Sequence, residues 1–456
     1  MTSIMKSAAT ALAAAALSFA ALAQEPAKPA APVPAPAAPK HAPPVAIVGG
    51  DVQTVTQGLI RKGTVLLRDG KIEKVGLGIE VPKDYSVIDA TGKYVMPGFV
   101  VASARGIGAV TGGGGGGFGG GGGGGRGGLR SNLSDGFDPY AFSVSLALAS
   151  GITSAFVAPG AAGSGIFEDQ VGGSGGGITG VATVMKPTEG DLGSMTLKEP
   201  AAVVIDYSGS FPNGKYEVRD RLKRAKEYAE KREAWEKDKL AGKDVKEPAK
   251  DEEQEILAKL VRGEIPARIT AATVDNILGV VELAREFSMK VVIEAATEAW
   301  IVADELSKAG VGCVITPRRK SSRDKTKSGP SGSNEEMAAI LRKAGVTFAV
   351  VPPTNSVATG GIAGRDLVTF PIEAAFAMRG GLDEQAAIEA ITIGAARLLG
   401  VDDRVGSLEA GKDADVLVLD GNPLDYKTFV EKTYIDGKLY YDKDKSTLFS
   451  HLKRQG

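Results

Sequence analysis

Between residues 97 and 403 the chain alternates apolar strand-like runs with helical stretches, and few folds accommodate that rhythm. The runs "SAFVAPG", "AAVVIDYSG", "ARITAAT", "KVVIEAAT", "GCVITP" and "TFAVVPP" are too continuously apolar to leave one face in water. Between them lie amphipathic stretches such as "NILGVVELAREF", "EAWIVADELSKAG", "NEEMAAILRKAG" and "DEQAAIEAITIGAARLLG". Buried strands separated by helices imply a parallel sheet covered by helices. About 300 residues of this alternation fit a (β/α)8 barrel with insertions.

The two ends of the folded region read differently. In "GTVLLRDGKIEKVG" (63–76) apolar residues alternate on either side of Asp69-Gly70, a two-residue hairpin signal. "ADVLVLDGNP" (414–423) and "KTYIDGKLYYD" (432–442), with Asp436-Gly437 at the turn, repeat that arrangement near the other end. The expected fold class is therefore α/β: a (β/α)8 TIM barrel at 97–403 inserted in a small composite β-sandwich. That sandwich is assembled from 45–96 and 404–445, with 446–456 as a tail.

Residues 1–23 read as an export signal. Lys6 precedes an Ala/Leu-rich run, and Ala21-Leu22-Ala23 forms an A-x-A cleavage site before Gln24. The run falls short of the roughly 20 residues a membrane span needs, so no integral segment is expected after processing. The expected destination is periplasmic or secreted. Residues 24–44, rich in Pro and Ala, form an extended spacer.

Two segments break the barrel rhythm. The glycine-rich stretch 112–128 has too little side-chain surface to pack and lacks the Gly-Lys-Ser/Thr ending of a phosphate loop, so it reads as a flexible loop at the barrel mouth. Residues 216–263 carry mixed charge, with Glu217/Arg221 and Lys223/Glu227 four apart, and read as a solvated helix, a break near 242–248 and a second helix. That mixture, and a formal net charge of −1 for the chain, argue against nucleic acid as a partner.

Composition limits the chemistry sharply. Cys313 is the only cysteine, which excludes an internal disulfide and a Cys-rich metal cluster; within "VGCVITP" it reads as a buried small side chain. Only His41, in the spacer, and His451, in the tail, supply imidazole. No three-ligand nitrogen/sulfur zinc site follows from that inventory. Among carboxylates, Glu168, Asp169, Glu294, Glu298 and Asp366 are candidates to approach the mouth, but their spacing dictates neither a Mg²⁺ or Mn²⁺ site nor an acid/base pair.

"IDATGKYVMPGF" (88–99) and "AIEAITIGAARLLGVDDRVGSLEAGKDADVLVLDGNP" (387–423) resemble the crossings between sandwich and barrel in the amidohydrolase superfamily. "EYAEKREAWEKDK", "IPARITAATVDNI" and "VVIEAATEAWIVADELSKAGV" resemble the branch of imidazolonepropionase and related cyclic-amide hydrolases. The resemblance implies metal-dependent hydrolysis of C–N bonds other than peptide bonds, with a divalent metal such as zinc polarising water and the scissile carbonyl. It also implies where the ligands should fall: a His-x-His after the first strand's Pro-Gly, two histidines on middle strands and an aspartate ending the last.

Here those positions carry Ser103 and Arg105, then Thr270, Ala272 and Ala295, with Pro353 at or near the last. An arginine at Arg105 would repel Zn²⁺. The resemblance therefore implies an inherited scaffold with its metal ligands substituted, no resident cofactor and no assignable catalytic residue. Three readings stay open. One is a non-catalytic binding or partner subunit, a pseudoenzyme in a hetero-oligomer with an active amidohydrolase homologue. Another is a hydrolase of cyclic amides or dipeptide-like substrates with a rebuilt metal-free or carboxylate-metal site. The third is a structural or peptidoglycan-proximal binding module using the glycine-rich loop.

Overall fold

The computed structural model describes residues 42–108, 129, 132–159, 177–207, 212–357 and 366–452. The export signal, nearly all of the spacer, His41, the glycine-rich loop, Glu168 and Asp169 lie outside the described residues.

The first strands are β1 (Val45–Gln53), β2 (Leu59–Arg68), β3 (Lys71–Gly76), β4 (Ser86–Asp89) and β5 (Tyr94–Pro97). The hairpin between β2 and β3 turns on Asp69 and Gly70 at φ 52° and 76°. Two positive φ values in succession are what a type I′ turn demands, and Asp-Gly supplies them at little strain.

The barrel opens with β6 (Phe99–Ala104), α1 (Phe142–Ala149), β7 (Ile152–Val157), β8 (Gly177–Met185) and β9 (Thr196–Asp206). It continues through α2 (Pro212–Leu240), α3 (Glu252–Val261), β10 (Ala267–Thr270), α4 (Val274–Glu286), β11 (Val291–Glu294) and α5 (Ala303–Ala309). Then come β12 (Gly312–Ile315), α6 (Met337–Ala344), β13 (Phe348–Val350), α7 (Phe370–Arg379), α8 (Glu384–Ala390) and α9 (Ile393–Leu399). The chain returns to strands as β14 (Val416–Leu419), β15 (Val430–Ile435) and β16 (Lys438–Asp442).

Both ends of the chain share one sheet, ordered β16-β15-β14-β5-β1-β2-β3 with β4 beside β1. Its two Asp-Gly turns meet: Ala414 N donates to Gly70 O at 2.9 Å, and Gly437 N donates to Ala414 O at 3.0 Å. Alternation along β14 explains how the sheet is held. Val416 and Val418 face the sheet's own core with Ile47, Leu67 and Ile72, while Leu417 and Leu419 join the core shared with the barrel.

The second sheet, in the order β6 to β13, is the barrel. All its pairings are parallel except those of β8, which runs antiparallel to both neighbours. That strand, "GITGVATVM", departs from the purely parallel sheet that the alternation implied. The β6–β13 seam is closed by other means: Val100 N donates to Ile391 O at 2.9 Å, and Arg105 N donates to Asn355 O at 2.7 Å. The interior is filled by Val100, Ala102, Phe156, Val184, Val292 and Val314, with α9 contributing Ala395, Ala396 and Leu399. "DEQAAIEAITIGAARLLG" forms two helices rather than one, because Thr392 breaks the run and returns its hydroxyl to Ile388 O at 2.6 Å.

The charged segment 216–263 is a helical hairpin, as its composition indicated, but its root belongs to the barrel. Val218, Leu222, Leu257 and Leu260 are fully buried in the barrel's core cluster. Only the outer end is a polar clasp, in which Tyr228 donates to Glu255 at 2.6 Å and Arg232 donates to Glu247 at 3.1 Å. Arg221 pairs with Glu253 of α3 at 3.7 Å, across the hairpin.

Candidate functional site

The crossing into the barrel fixes where the mouth begins. Gly98 N donates to Asp415 O at 3.0 Å. A Cβ at Gly98 would lie only 1.9 Å from Thr153 Oγ1 of β7, so the approach of the two strands requires glycine. From there β6 runs to a register shift between Val101 and Ala104, and that irregularity delivers Ser103 to the mouth.

Ser103 Oγ accepts a hydrogen bond from Asn355 Nδ2 at 3.0 Å. Arg105 forms a parallel bridge with Ser356. The structure thus brings Ser103 and Arg105 against the segment that follows Pro353, where they close the seam. Thr270 ends β10 in register with Glu294, and its carbonyl accepts from Tyr207 N at 3.1 Å. Ala272 O accepts from Glu298 N at 2.9 Å. Ala295 sits at φ 55°, a left-handed conformation that costs an L-residue about 1–2 kcal/mol, and its carbonyl accepts from Thr297 N at 2.7 Å.

None of the six side chains (Ser103, Arg105, Thr270, Ala272, Ala295, Pro353) offers an imidazole, thiolate or carboxylate. The donor set at these positions does not fit a zinc or similar divalent ion.

The neighbouring carboxylates are engaged elsewhere. Glu294 Oε1 lies 2.6 Å from Arg268 Nε. Glu298, 5% exposed, accepts from Val274 N at 2.8 Å and from Gly332 N at 2.7 Å, pinning two mouth loops together. Asp366 caps a short helical turn by accepting from Val368 N at 3.1 Å, and burial raises its carboxyl above the usual range despite that bond. Among the described residues, no three His, Cys, Asp or Glu side chains converge closely enough to hold a metal ion. His451 is exposed in the tail beyond β16. Cys313 packs in the outer core, and burial pushes its thiol up to about 12, so it is no nucleophile at neutral pH.

Arg268 and Asn355 are the residues the sequence reading passed over. Arg268 is 2% exposed; its guanidinium lies over the Phe156 ring at 4.3 Å and donates to Ala102 O. A charge inside the apolar run "ARIT" was the available signal. Asn355 carried none, since its role depends on the seam.

A nearly closed eight-stranded barrel with covering helices, joined to a strand-rich domain, defines the class of protein. The chain belongs to the amidohydrolase family, whose model matches residues 143–441. It is similar to an amidohydrolase from Thermotoga maritima MSB8, at 29% identity and a TM-score of 0.69, over 87% of this chain and 100% of that one. Its fold is also similar to that of molinate hydrolase, at 18% identity and a TM-score of 0.52, over 91% and 98% of the two chains. Amidohydrolase tasK of Hapsidospora irregularis is 37% identical over 71 residues, which span 16% of this chain and only 7% of that protein. Among the described residues, no helix is long and apolar enough to cross a membrane.

Proposed function

We propose that this chain is an exported amidohydrolase-family protein that does not build the family's metal centre and serves as a binding or partner subunit. The observation that carries the reading is the chemistry of the mouth. Where the family resemblance calls for metal ligands stand Ser103, Arg105, Thr270, Ala272, Ala295 and Pro353, and the carboxylates of Glu294 and Glu298 are already bound to Arg268 and to backbone amides. The partner is an active homologue, and the contact is the exposed, charged outer part of the α2–α3 hairpin, a surface suited to a polar, salt-sensitive interface. The signal-like residues 1–23 support export of this chain to the periplasm or outside the cell, and the partner is an exported protein as well.

The test has two arms. Elemental analysis of purified protein should find well under one equivalent of zinc or manganese, together with no turnover of cyclic amides or dipeptides. Stoichiometric metal that is lost on Glu294→Gln or Glu298→Gln, accompanied by turnover, would establish a rebuilt hydrolase instead. In the second arm the chain is co-expressed with an exported homologue that retains His-x-His, and one of the two is tagged. Deleting 216–263 is unsuitable, because Val218, Leu222, Leu257 and Leu260 would leave the barrel core. Charge reversal at the exposed Lys226, Lys231 and Lys237 leaves that core intact and should release the partner. A chain that purifies alone sinks the partner role.

A further inference from the structure

A cleft of about 620 Å³, lined by none of the residues matched to metal ligands, opens between the loop that follows β12 and the C-terminal half of α7. We propose that it binds a small organic anion carrying two or more negative charges. Its volume lies within the range of about 300–1,000 Å³ typical of small-molecule sites and exceeds what an inorganic ion needs.

Charge selects the ligand. Arg318, Arg319, Lys320 and Arg379 line the cleft, against the single carboxylate of Glu335. Arg318 is held in place: its backbone N and its Nε donate to the two oxygens of the fully buried Glu373 at 2.9 and 2.6 Å, and its guanidinium lies 4.8 Å from the Phe376 ring centre. That leaves its Nη2 without a hydrogen-bond partner among the described residues. Glu373 offsets the charge of Arg318, so the positive charge offered to a ligand is that of Lys320 and Arg379. Lys320 and Arg379 are both exposed to the cleft's solvent.

The walls are also fixed before any ligand arrives. Ser321 N donates to Ser333 Oγ at 2.9 Å and Ser333 N donates to Ser321 O at 3.1 Å, tying the two ends of the loop. Trp300 Nε1 anchors the same loop through Gly332 O at 2.9 Å. A concave site with a tied backbone, lined with guanidinium and ammonium groups, favours phosphate or carboxylate oxygens, because charge-assisted hydrogen bonds are the strong ones and the ordering cost is confined to exposed side chains such as Lys320 and Arg379. The proposal is independent of whether the barrel mouth holds a metal.

Calorimetric titration of the full chain with inorganic pyrophosphate and with citrate tests it, with glucose as the uncharged probe. At least one anion should bind once per chain and more weakly as salt is added, while glucose should not bind. Preference between the two anions separates a phosphate-bearing from a polycarboxylate ligand. Arg379→Glu and Lys320→Glu should each weaken binding by about tenfold or more, with an unchanged unfolding midpoint. Glu335→Gln should tighten it, a gain that misfolding cannot produce. Absence of binding by both anions, or binding indifferent to all three substitutions, overturns the proposal.

Discussion

Arg268 Nε and Glu294 Oε1 lie 2.6 Å apart inside the barrel, and the same guanidinium donates to the carbonyl of Ala102. Arg268 is on β10 and Ala102 on β6, four places apart in an eight-strand order, so one side chain spans the lumen. The buried cation is satisfied from three sides: a carboxylate, a carbonyl and the face of Phe156.

Arg268→Met should therefore destabilise the protein by about 3 kcal/mol or more, since it strands a half-buried carboxylate and leaves the Ala102 carbonyl unpaired. Adding Glu294→Gln to the same chain should recover part of that loss. Urea unfolding of the two single variants and the double variant gives the coupling, and additive effects would refute a shared network.

Gly98→Ala should cost about 1–3 kcal/mol, the usual range for overpacking, because the new methyl group collides with Thr153. Thr153→Gly in the same chain should relieve it. Thermal unfolding reads both effects, and a tolerated Gly98→Ala would mean that β6 and β7 can separate.

Below the barrel, Lys186 lies 2.8 Å from Asp413, 3.0 Å from Asp415 and 2.6 Å from Asp436. Burial alone would raise Asp413, but Lys186, Lys71 and Arg404 outweigh it and hold the carboxyl at about 2. Its folded value is depressed below 3.8, so its contribution is present above pH 4 and disappears as pH falls through about 2. Asp415 goes the other way: burial, reinforced by Asp436 and Asp413, lifts it to about 6 against the pull of Lys186. The native state then binds the Asp415 proton more tightly than the unfolded chain, and stability from this group falls as pH rises from about 4 to 6. Asp415→Asn should flatten that limb of a stability–pH curve and leave the acid limb in place. Lys186→Met should destabilise at neutral pH by about 3–5 kcal/mol, the cost of unpaired buried charge.

Cys313, fully buried with its thiol at about 12, should not react with a thiol reagent in the native state. The single thiol should appear only in denaturant. Labelling at the rate of global unfolding would make it a probe of barrel opening, whereas fast native labelling would contradict its placement on β12.

Local patterns in the sequence were enough for the elements whose causes are local. Asp69-Gly70 and Asp436-Gly437 determined their hairpins, because positive φ at two successive residues is a property of the turn itself. Continuous apolar runs determined β7 and β9 to β13, and glycine and proline marked the crossing at 97–98. The residue types at the mouth were equally legible, since no fold can turn Thr270 or Ala295 into an imidazole. Tertiary structure alone decided the rest. The direction of β8 depends on which neighbours it meets, the reach of Arg268 across the lumen on closure of the ring, and the Ser103–Asn355 contact on two segments more than 250 residues apart. The same holds for Lys186 with its three aspartates and for the basic cleft beside α7. Each arises from residues distant in the chain, and a one-dimensional pattern carries no record of distances that only packing creates.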